Sequence, residues 1–362
     1  MQRSLRRIIF YSFVLAFAIA GPLVVAYSFG YTFDLSTATI ATTGGILVKS
    51  STPRLTVFLD GSFLKETGLI TGSMLVTDVE PGTRLVRLEK TGFRSWSKPI
   101  AVSPLVVTEL RNIILVPHPL LIATSSAAEL AAAEATTTAA NGLALSRRGE
   151  LILNRDGAVK KIAENAHSFT ANEEAIFFVD QNGFLARYAL PGGDITLLGR
   201  PGFFLEKRPM RFVAGRGLLA ILDSSGGLYL FSEGSTTAEP VEAGVKDVAF
   251  DSRGEKMLIV KDTAVDLVWL KDNAHQPFEK KGTREEILRS PVAIREARWL
   301  FQTDAHVVWR TREGIFLTEI DGRGGRTTTE LVSGAVDELL TLPSLPNTIF
   351  YKKGKAVYKI EL

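Results

Sequence analysis

Five short apolar runs recur along the C-terminal part of this 362-residue chain. They are Ile176-Phe-Phe-Val179, Leu218-Leu-Ala-Ile-Leu222, Met257-Leu-Ile-Val260, His306-Val-Val-Trp309 and Thr348-Ile-Phe-Tyr351, and their first residues lie 42, 39, 49 and 42 positions apart. Each run reads as a strand. After most of them come a polar turn and a second strand, at Gly183–Tyr188, Gly227–Phe231, Gly314–Ile320 and Lys355–Ile360, with Ala264–Leu270 in that place in the third copy. A sustained period of this kind constrains a fold more than any single motif, because each copy is one supersecondary unit that must bury its apolar face against its neighbours.

A period near 40 with several strands per copy is the signature of a β-propeller. The copies are similar to the TolB-like and WD40-like propeller families. Val248-Ala-Phe-Asp-Ser-Arg-Gly-Glu-Lys-Met257 resembles their strand-turn-strand element, with Ser252-Arg253-Gly254 where those families often carry Pro-Asp-Gly. The Trp-Asp and Gly-His signatures of WD40 repeats are absent from it, so the subfamily stays open. A leading hairpin at Glu150–Ile162 precedes the copies, and the last copy, Val336–Leu362, holds three strands. Pairing the two ends of a ring hides strand edges that would otherwise be exposed, so the leading segment is expected to contribute to the closing blade. A five- or six-bladed ring over residues 144–362 follows.

The other end of the chain carries a different signal. Arg3, Arg6 and Arg7 precede 26 residues, Ile8 to Phe33, without a charged side chain, and Asp34 ends the run. As a helix this run covers ~39 Å, more than the ~30 Å hydrocarbon core of a bilayer. Tyr27, Phe29, Tyr31 and Phe33 cluster at its far end, where an aromatic belt is expected, and the positive flank places residues 1–7 in the cytoplasm. The reading is a single-pass signal anchor, with the lipid bilayer as the partner of residues 8–33 and the bulk of the chain outside the cell membrane. A cleaved signal peptide is the alternative, with Ala18-Ile19-Ala20 as the cleavage candidate, although Leu23–Tyr27 continues the apolar character beyond it.

Between these regions, residues 44–117 are short, alternating and punctuated by turns. Ile46–Val48, Leu55–Leu59, Met74–Val76, Arg84–Leu88 and Leu105–Val107 read as strands, with Asp60-Gly61, Pro81-Gly82 and Thr91-Gly92 supplying turns between them. The expectation is a small antiparallel module of about 75 residues. Gly45-Ile-Leu-Val-Lys-Ser-Ser-Thr-Pro53, Val57-Phe-Leu-Asp-Gly61, Val79-Glu-Pro-Gly82 and Leu88-Glu-Lys-Thr-Gly-Phe-Arg-Ser-Trp96 resemble the PEGA domain. That resemblance implies a small β-sandwich on an exported or membrane-anchored protein, serving surface attachment or protein interaction. The sequence departs from the family where Pro53 is followed by Arg54-Leu55-Thr56 instead of Glu-Gly-Ala. Residues 118–143, with the low-complexity stretch Ser125–Ala140, read as an Ala/Thr-rich linker holding a helical turn or two, with a packed helix as the alternative.

Composition narrows the chemistry. The chain has no cysteine, which excludes disulfides, thiolate metal sites and a Cys nucleophile. Its formal net charge is +3, with the basic residues spread out, so no nucleic-acid partner is expected. The four histidines, His118, His167, His275 and His306, form neither His-Glu-x-x-His nor His-x-His. His306 reads as a strand residue and His118 as a boundary residue. Ser224-Ser225-Gly226-Gly227 lies where a hairpin turn is expected, and no nucleophile motif surrounds it. The Gly-rich Asp321–Arg326 loop runs into Thr327–Val332, another strand, so the helix N-terminus that cradles phosphate is missing. Glu173-Glu174 and Glu285-Glu286 are adjacent acids whose side chains point apart. Trp269, Trp299 and Trp309 read as blade packing, with a sugar-stacking platform as the alternative.

The sequence therefore reads as an all-β chain with an N-terminal transmembrane helix, a small PEGA-like β-sandwich and a five- or six-bladed β-propeller. No catalytic, cofactor-binding or metal residue and no cofactor is assigned. The functional expectation is non-enzymatic interaction with an envelope protein or glycan. The alternative is an exported hydrolase or lyase acting on envelope glycans, which requires acids and bases from several blades to converge on the ring axis.

Overall fold

The computed structural model describes residues 3–362 apart from 29, 35–38, 70, 127, 132–141, 156–157, 173, 191–192, 200–209, 233–234 and 236. The chain divides into two units. One holds Met1–Pro119, His275–Pro277 and Arg323–Gly325, and the other holds Leu120–Ala274, Phe278–Gly322 and Arg326–Leu362.

The first unit begins with α1 (Arg3–Ser28), the uncharged run in helical form, with Pro22 inside it. Its side chains stand out from the rest of the chain, Phe13 at 73% and Phe17 at 79% exposure. The helix stops short of the Phe33 expected from charge alone. Gly30 adopts φ 86°, the left-handed conformation that ends a helix, and its N–H returns to the Tyr27 carbonyl at 2.9 Å. The run continues instead as β1 (Tyr31–Asp34), which pairs antiparallel with β2 (Thr39–Thr42).

Among the described residues seven more strands follow in this unit: β3 (Gly44–Ser50), β4 (Thr56–Leu59), β5 (Ser62–Glu66), β6 (Ser73–Val79), β7 (Gly82–Glu89), β8 (Trp96–Val102) and β9 (Val107–Ile113). They form two sheets, ordered β6-β3-β9 and β5-β4-β7-β8, that share one apolar core including Ile46, Val57, Leu88, Trp96 and Ile100. Strand β8 shows the period-2 pattern in full, with Trp96, Lys98, Ile100 and Val102 buried and the residues between them exposed. The β4–β5 hairpin turns at Asp60 and Gly61, both with positive φ (49° and 85°), as a tight Asp-Gly turn requires. Two expectations change. The module is not wholly antiparallel, because β3 pairs with β9 in parallel. A parallel pair needs a crossover, and here the connection passes twice through the other sheet, with β6 returning to this one between the passes. Leu105 and Val106 lie in the loop before β9 rather than in a strand.

In the second unit the described strands are β10 (Ile122–Ser125), β11 (Leu143–Leu145), β12 (Leu151–Arg155), β13 (Ala158–Ala163), β14 (Ala166–Ala171), β15 (Ala175–Asp180), β16 (Leu185–Ala189) and β17 (Ile195–Gly199). They continue as β18 (Met210–Gly215), β19 (Leu218–Asp223), β20 (Leu228–Ser232), β21 (Glu239–Glu242), β22 (Asp247–Phe250), β23 (Lys256–Val260), β24 (Ala264–Trp269) and β25 (Arg284–Arg289). The last are β26 (Glu296–Trp299), β27 (His306–Arg310), β28 (Gly314–Glu319), β29 (Thr328–Ser333), β30 (Glu338–Leu342), β31 (Leu345–Lys353) and β32 (Ala356–Glu361).

Four sheets are consecutive up-and-down meanders, β14–β17, β18–β21, β22–β25 and β26–β29, while β11-β12-β13 make a three-stranded sheet. The first strands β14, β18, β22, β26 and β30 lie side by side in that order. The five apolar runs are the second strands. Their centres are apolar because both faces are covered. Ile176 and Phe178 pack with Leu151 and Leu153 of the preceding sheet, whereas Phe177 and Val179 pack with Leu219 and Ile221 of the following one. Met257 and Ile259 join Ala220 and Leu222 in the same way, and Leu258 and Val260 join Val307 and Trp309.

The last sheet is ordered β10-β32-β31-β30. The start and the end of this unit do pair, but the donated strand is Ile122–Ser125, registered against Ile360–Val357, and not the Glu150–Ile162 hairpin. That hairpin belongs to the separate β11–β13 sheet. The donated strand lies within residues 118–143. Beyond it Leu130 is buried against Leu342, Phe350 and Val357, and the rest of that low-complexity stretch, 132–141, lies outside the described residues.

Candidate functional site

Three of the first strands of the second unit carry a charged residue next to apolar ones. Arg211 lies between Met210 and Phe212 on β18, Asp247 opens β22 before Val248, and Arg298 lies between Ala297 and Trp299 on β26. Because these strands are neighbours, the three side chains meet. Asp247 Oδ2 accepts a hydrogen bond from Arg298 Nη1 at 2.7 Å, and its Oδ1 accepts one from Arg211 Nη2. The Val248 N–H adds a further donor to Oδ1 at 2.6 Å. One carboxylate thus ties together three successive sheets.

These residues line a cavity of about 420 Å³ formed along β18 and β22, with the end of β14 and Arg298 of β26 beside them. Its walls are held by close contacts. Asn172 Nδ2 donates to the Gly215 carbonyl at 2.6 Å, joining the end of β14 to the end of β18. A Cβ on Gly215 would stand 2.8 Å from the Phe250 ring, so glycine is needed where β18 and β22 approach. Trp299 Nε1 donates to the Ala249 carbonyl at 3.0 Å and fixes β26 against β22.

The electrostatics favour a charged carboxylate with two cations beside it. Burial works to raise the Asp247 pKa, but the charges and hydrogen bonds of Arg298 and Arg211 outweigh it and hold the group below its ordinary value. The side chain is 13% exposed, against 49% for Arg211 and 26% for Arg298. A guanidinium has five N–H donors. Asp247 takes one nitrogen from each arginine, and the Ala297 carbonyl shares the same nitrogen of Arg298. The remaining donors suit a further carboxylate or another anionic group entering the cavity. An ionised carboxylate clamped in this way has no proton to give, so Asp247 is poorly suited to general-acid work.

Other polar groups at the cavity serve the fold. Asp251 accepts the Glu255 and Lys256 backbone N–H groups at 2.7 and 3.0 Å and pairs with Lys256 Nζ at 3.0 Å, which sets the β22–β23 turn. Ser252, in the same turn, donates its hydroxyl to Asp304. Burial pushes the Asp304 carboxyl above its ordinary value, Ser252 works against it, and the charge of Asp251 reinforces it.

Apart from Trp299, which braces the wall through Ala249, the residues weighed from sequence lie elsewhere. His306 is buried on β27, with its Nδ1 3.3 Å from Thr303 Oγ1. Ser225 sits in the β19–β20 turn, with its N–H and hydroxyl both bonded to Asp223 Oδ1 at 2.8 and 2.7 Å. In the Asp321–Arg326 loop, Arg326 pairs with Glu285. Glu286 pairs with Arg289, and Glu173 lies outside the described residues. Trp269, Trp299 and Trp309 are buried between sheets, where no sugar ring could stack on them. Among the described residues no group of three or more His, Asp or Glu side chains is placed to hold a metal ion. Arg211, Asp247 and Arg298 escaped the sequence reading. Their signal is a charged residue inside the short strand ahead of an apolar run.

No family model matches this chain, and no curated protein matches it. The solved structures that resemble it are β-propellers. YCF48 with a bound D1 peptide is 13% identical, the likeness covering 89% of this chain and 94% of that one, with a TM-score of 0.41. The β-propeller domain of Cps50 (Swd1) from Myceliophteria thermophila is 8% identical over 77% and 93% of the two chains, with a TM-score of 0.42. XC5397, a gluconolactonase from Xanthomonas campestris, is 10% identical over 59% and 78%, with a TM-score of 0.35. At these levels of identity and overlap they carry nothing about ligand or reaction.

Proposed function

We propose that this chain is a membrane-anchored, extracytoplasmic interaction protein. In this reading α1 spans the bilayer, residues 44–117 form a PEGA-like sandwich, and the second unit is a six-bladed β-propeller closed by Ile122–Ser125. Its first strands line a recognition cavity that takes an acidic group of an envelope protein or glycan and performs no reaction on it. The Arg211–Asp247–Arg298 bridge carries this reading. It spends the one carboxylate at its centre on holding two guanidiniums in place, which suits the binding of an anion better than proton transfer.

The test compares envelope cross-linking by the wild-type protein with that by Arg211→Gln and Lys246→Gln. Arg211 faces the cavity, whereas Lys246 is paired outside it with Asp262. The cross-linked partner is expected to fall about tenfold for Arg211→Gln, equivalent to the loss of one charge-assisted bond, and to persist for Lys246→Gln. Equal recovery by all three proteins would overturn the assignment of the cavity.

A further inference from the structure

Leu105-Val106-Val107 has the composition of a buried strand, yet the structure leaves these residues on the surface. Their exposures are 47%, 48% and 41%, and Leu75 beside them is 53% exposed. Leu105 also adopts φ 61°, a left-handed conformation that a leucine side chain disfavours. A strained backbone that turns a leucine outward calls for a physical reason.

The loop is tied to the end of the apolar helix by a relay of backbone hydrogen bonds. The Gly30 N–H donates to the Tyr27 carbonyl at 2.9 Å, the Thr43 N–H to the Gly30 carbonyl at 2.8 Å, and the Leu105 N–H to the Thr43 carbonyl at 2.8 Å. The Gly45 N–H adds a bond to the Val106 carbonyl at 3.0 Å. Gly44 has no room for a Cβ, because the Ser103 carbonyl lies against it. Tyr27, Gly30, Thr43, Leu105 and Val106 line one depression of about 250 Å³. The loop is therefore fixed beside the last turn of α1, and Ser103–Val107 contains no charged residue.

We propose that Leu105, Val106, Val107 and Leu75 form a membrane-surface contact, seated in the boundary between headgroups and acyl chains of the bilayer that α1 spans. The proposal rests on the anchor reading given above. A lipid surface is the occupant because the patch is continuous with the end of the spanning helix, where the interface must lie. Apolar side chains at that depth are covered by the outer acyl region while the strands behind them remain in water. The helix and the loop together make a two-point attachment that restrains the tilt of the first unit.

The absence of cysteine makes single-cysteine labelling clean. Val106→Cys, Leu15→Cys and Thr91→Cys are labelled with an environment-sensitive fluorophore in the full chain, reconstituted in phosphatidylcholine vesicles with and without nitroxide-labelled lipid. Thr91 is exposed in the turn at the other end of the β7–β8 ladder, six rungs or about 20 Å from Val102. The proposal expects blue-shifted emission at 106, a roughly twofold loss to nitroxide lipid there, and no loss at 91. If position 106 emits as position 91 does while position 15 is quenched, the surface contact is overturned and the anchor stands. If position 106 is blue-shifted but unquenched, protein covers the patch and the proposal also fails. If position 15 is unquenched, the anchor reading falls and takes this one with it.

Discussion

Asp247 and Asp304 are two mostly buried carboxylates whose environments push them in opposite directions. For Asp247, burial alone would raise the pKa, but Arg298 and Arg211 bring it below the ordinary value. The unfolded chain therefore takes up a proton at higher pH than the folded one. The group's contribution to stability is complete above pH ~5 and is lost as the pH falls through ~4 toward the folded value. Asp247→Asn should lower Tm at pH 7, at a cost of about 1–3 kcal/mol once the solvent exposure of its partners is allowed for. The difference from wild type should shrink at pH 3, and thermal melts at the two pH values check this. For Asp304 the sign reverses, because burial raises its pKa above the unfolded value, so the ionised group costs stability at neutral pH and the cost is relieved as the pH falls through the folded pKa. Asp304→Asn keeps an acceptor for Ser252 and tolerates the φ of 51° found here. It should leave Tm unchanged or raised at pH 7, with no gain below pH ~4. A fall at pH 7 matching that of Asp247→Asn would show that the Ser252 bond outweighs desolvation.

The closing sheet depends on an element that composition hides. Leu130 stands in an Ala- and Thr-rich stretch, yet it is buried at 5% exposure beside Phe350 and Val357, next to the donated strand β10. Nearby Lys359 pairs with Glu129 at 2.8 Å. Leu130→Ala should cost about 2 kcal/mol or more, as large-to-small changes at packed sites do, whereas Leu121→Ala, at 79% exposure, should change stability little. Denaturant titration of both variants separates a packed clasp from a loose linker, which would treat the two alike. What was legible in the sequence follows from the same physics. The second strands announce themselves because both faces are covered, so Ile176–Val179 and Met257–Val260 carry no polar residue and repeat at the spacing of the sheets. The first strands are only partly buried and carry Arg211, Asp247 and Arg298, which breaks the apolar pattern and hides the cavity. Strand β10 reads Ile-Ala-Thr-Ser, too short and mixed to signal a strand, and its partner lies more than 230 positions away. The β3–β9 parallel pair likewise has no local signal, because alternation within a strand does not record its direction. Leu105-Val106 misled for the converse reason, since an apolar run is the same signal whether it meets a protein core or some other apolar surface.

At the scale of the molecule the decisive question is which solvent surrounds α1. Residues 6–28 make 23 helical positions, long enough at ~1.5 Å each to cross a ~30 Å core, and none of that segment is buried by the chain. Phe10, Phe13, Leu15, Phe17, Leu23 and Val24 stand in the open around its circumference, so this is no amphipathic helix awaiting a groove on one side. On the anchor reading proposed above, Arg6 and Arg7 at its start keep the amino end in the cytoplasm. A chain tagged at Leu362 should therefore lose the tag when protease is added to intact cells, and the membrane pellet should resist alkaline carbonate. Cleavage after Ala20 predicts a different result, a mature chain that begins at Gly21 and is released by carbonate, and mass measurement of the purified protein distinguishes the two. A tag protected until the cells are lysed would reverse the orientation altogether. That outcome would also remove any envelope ligand from reach of the cavity. The protease result therefore bears on Arg211 and Arg298 as directly as on the helix.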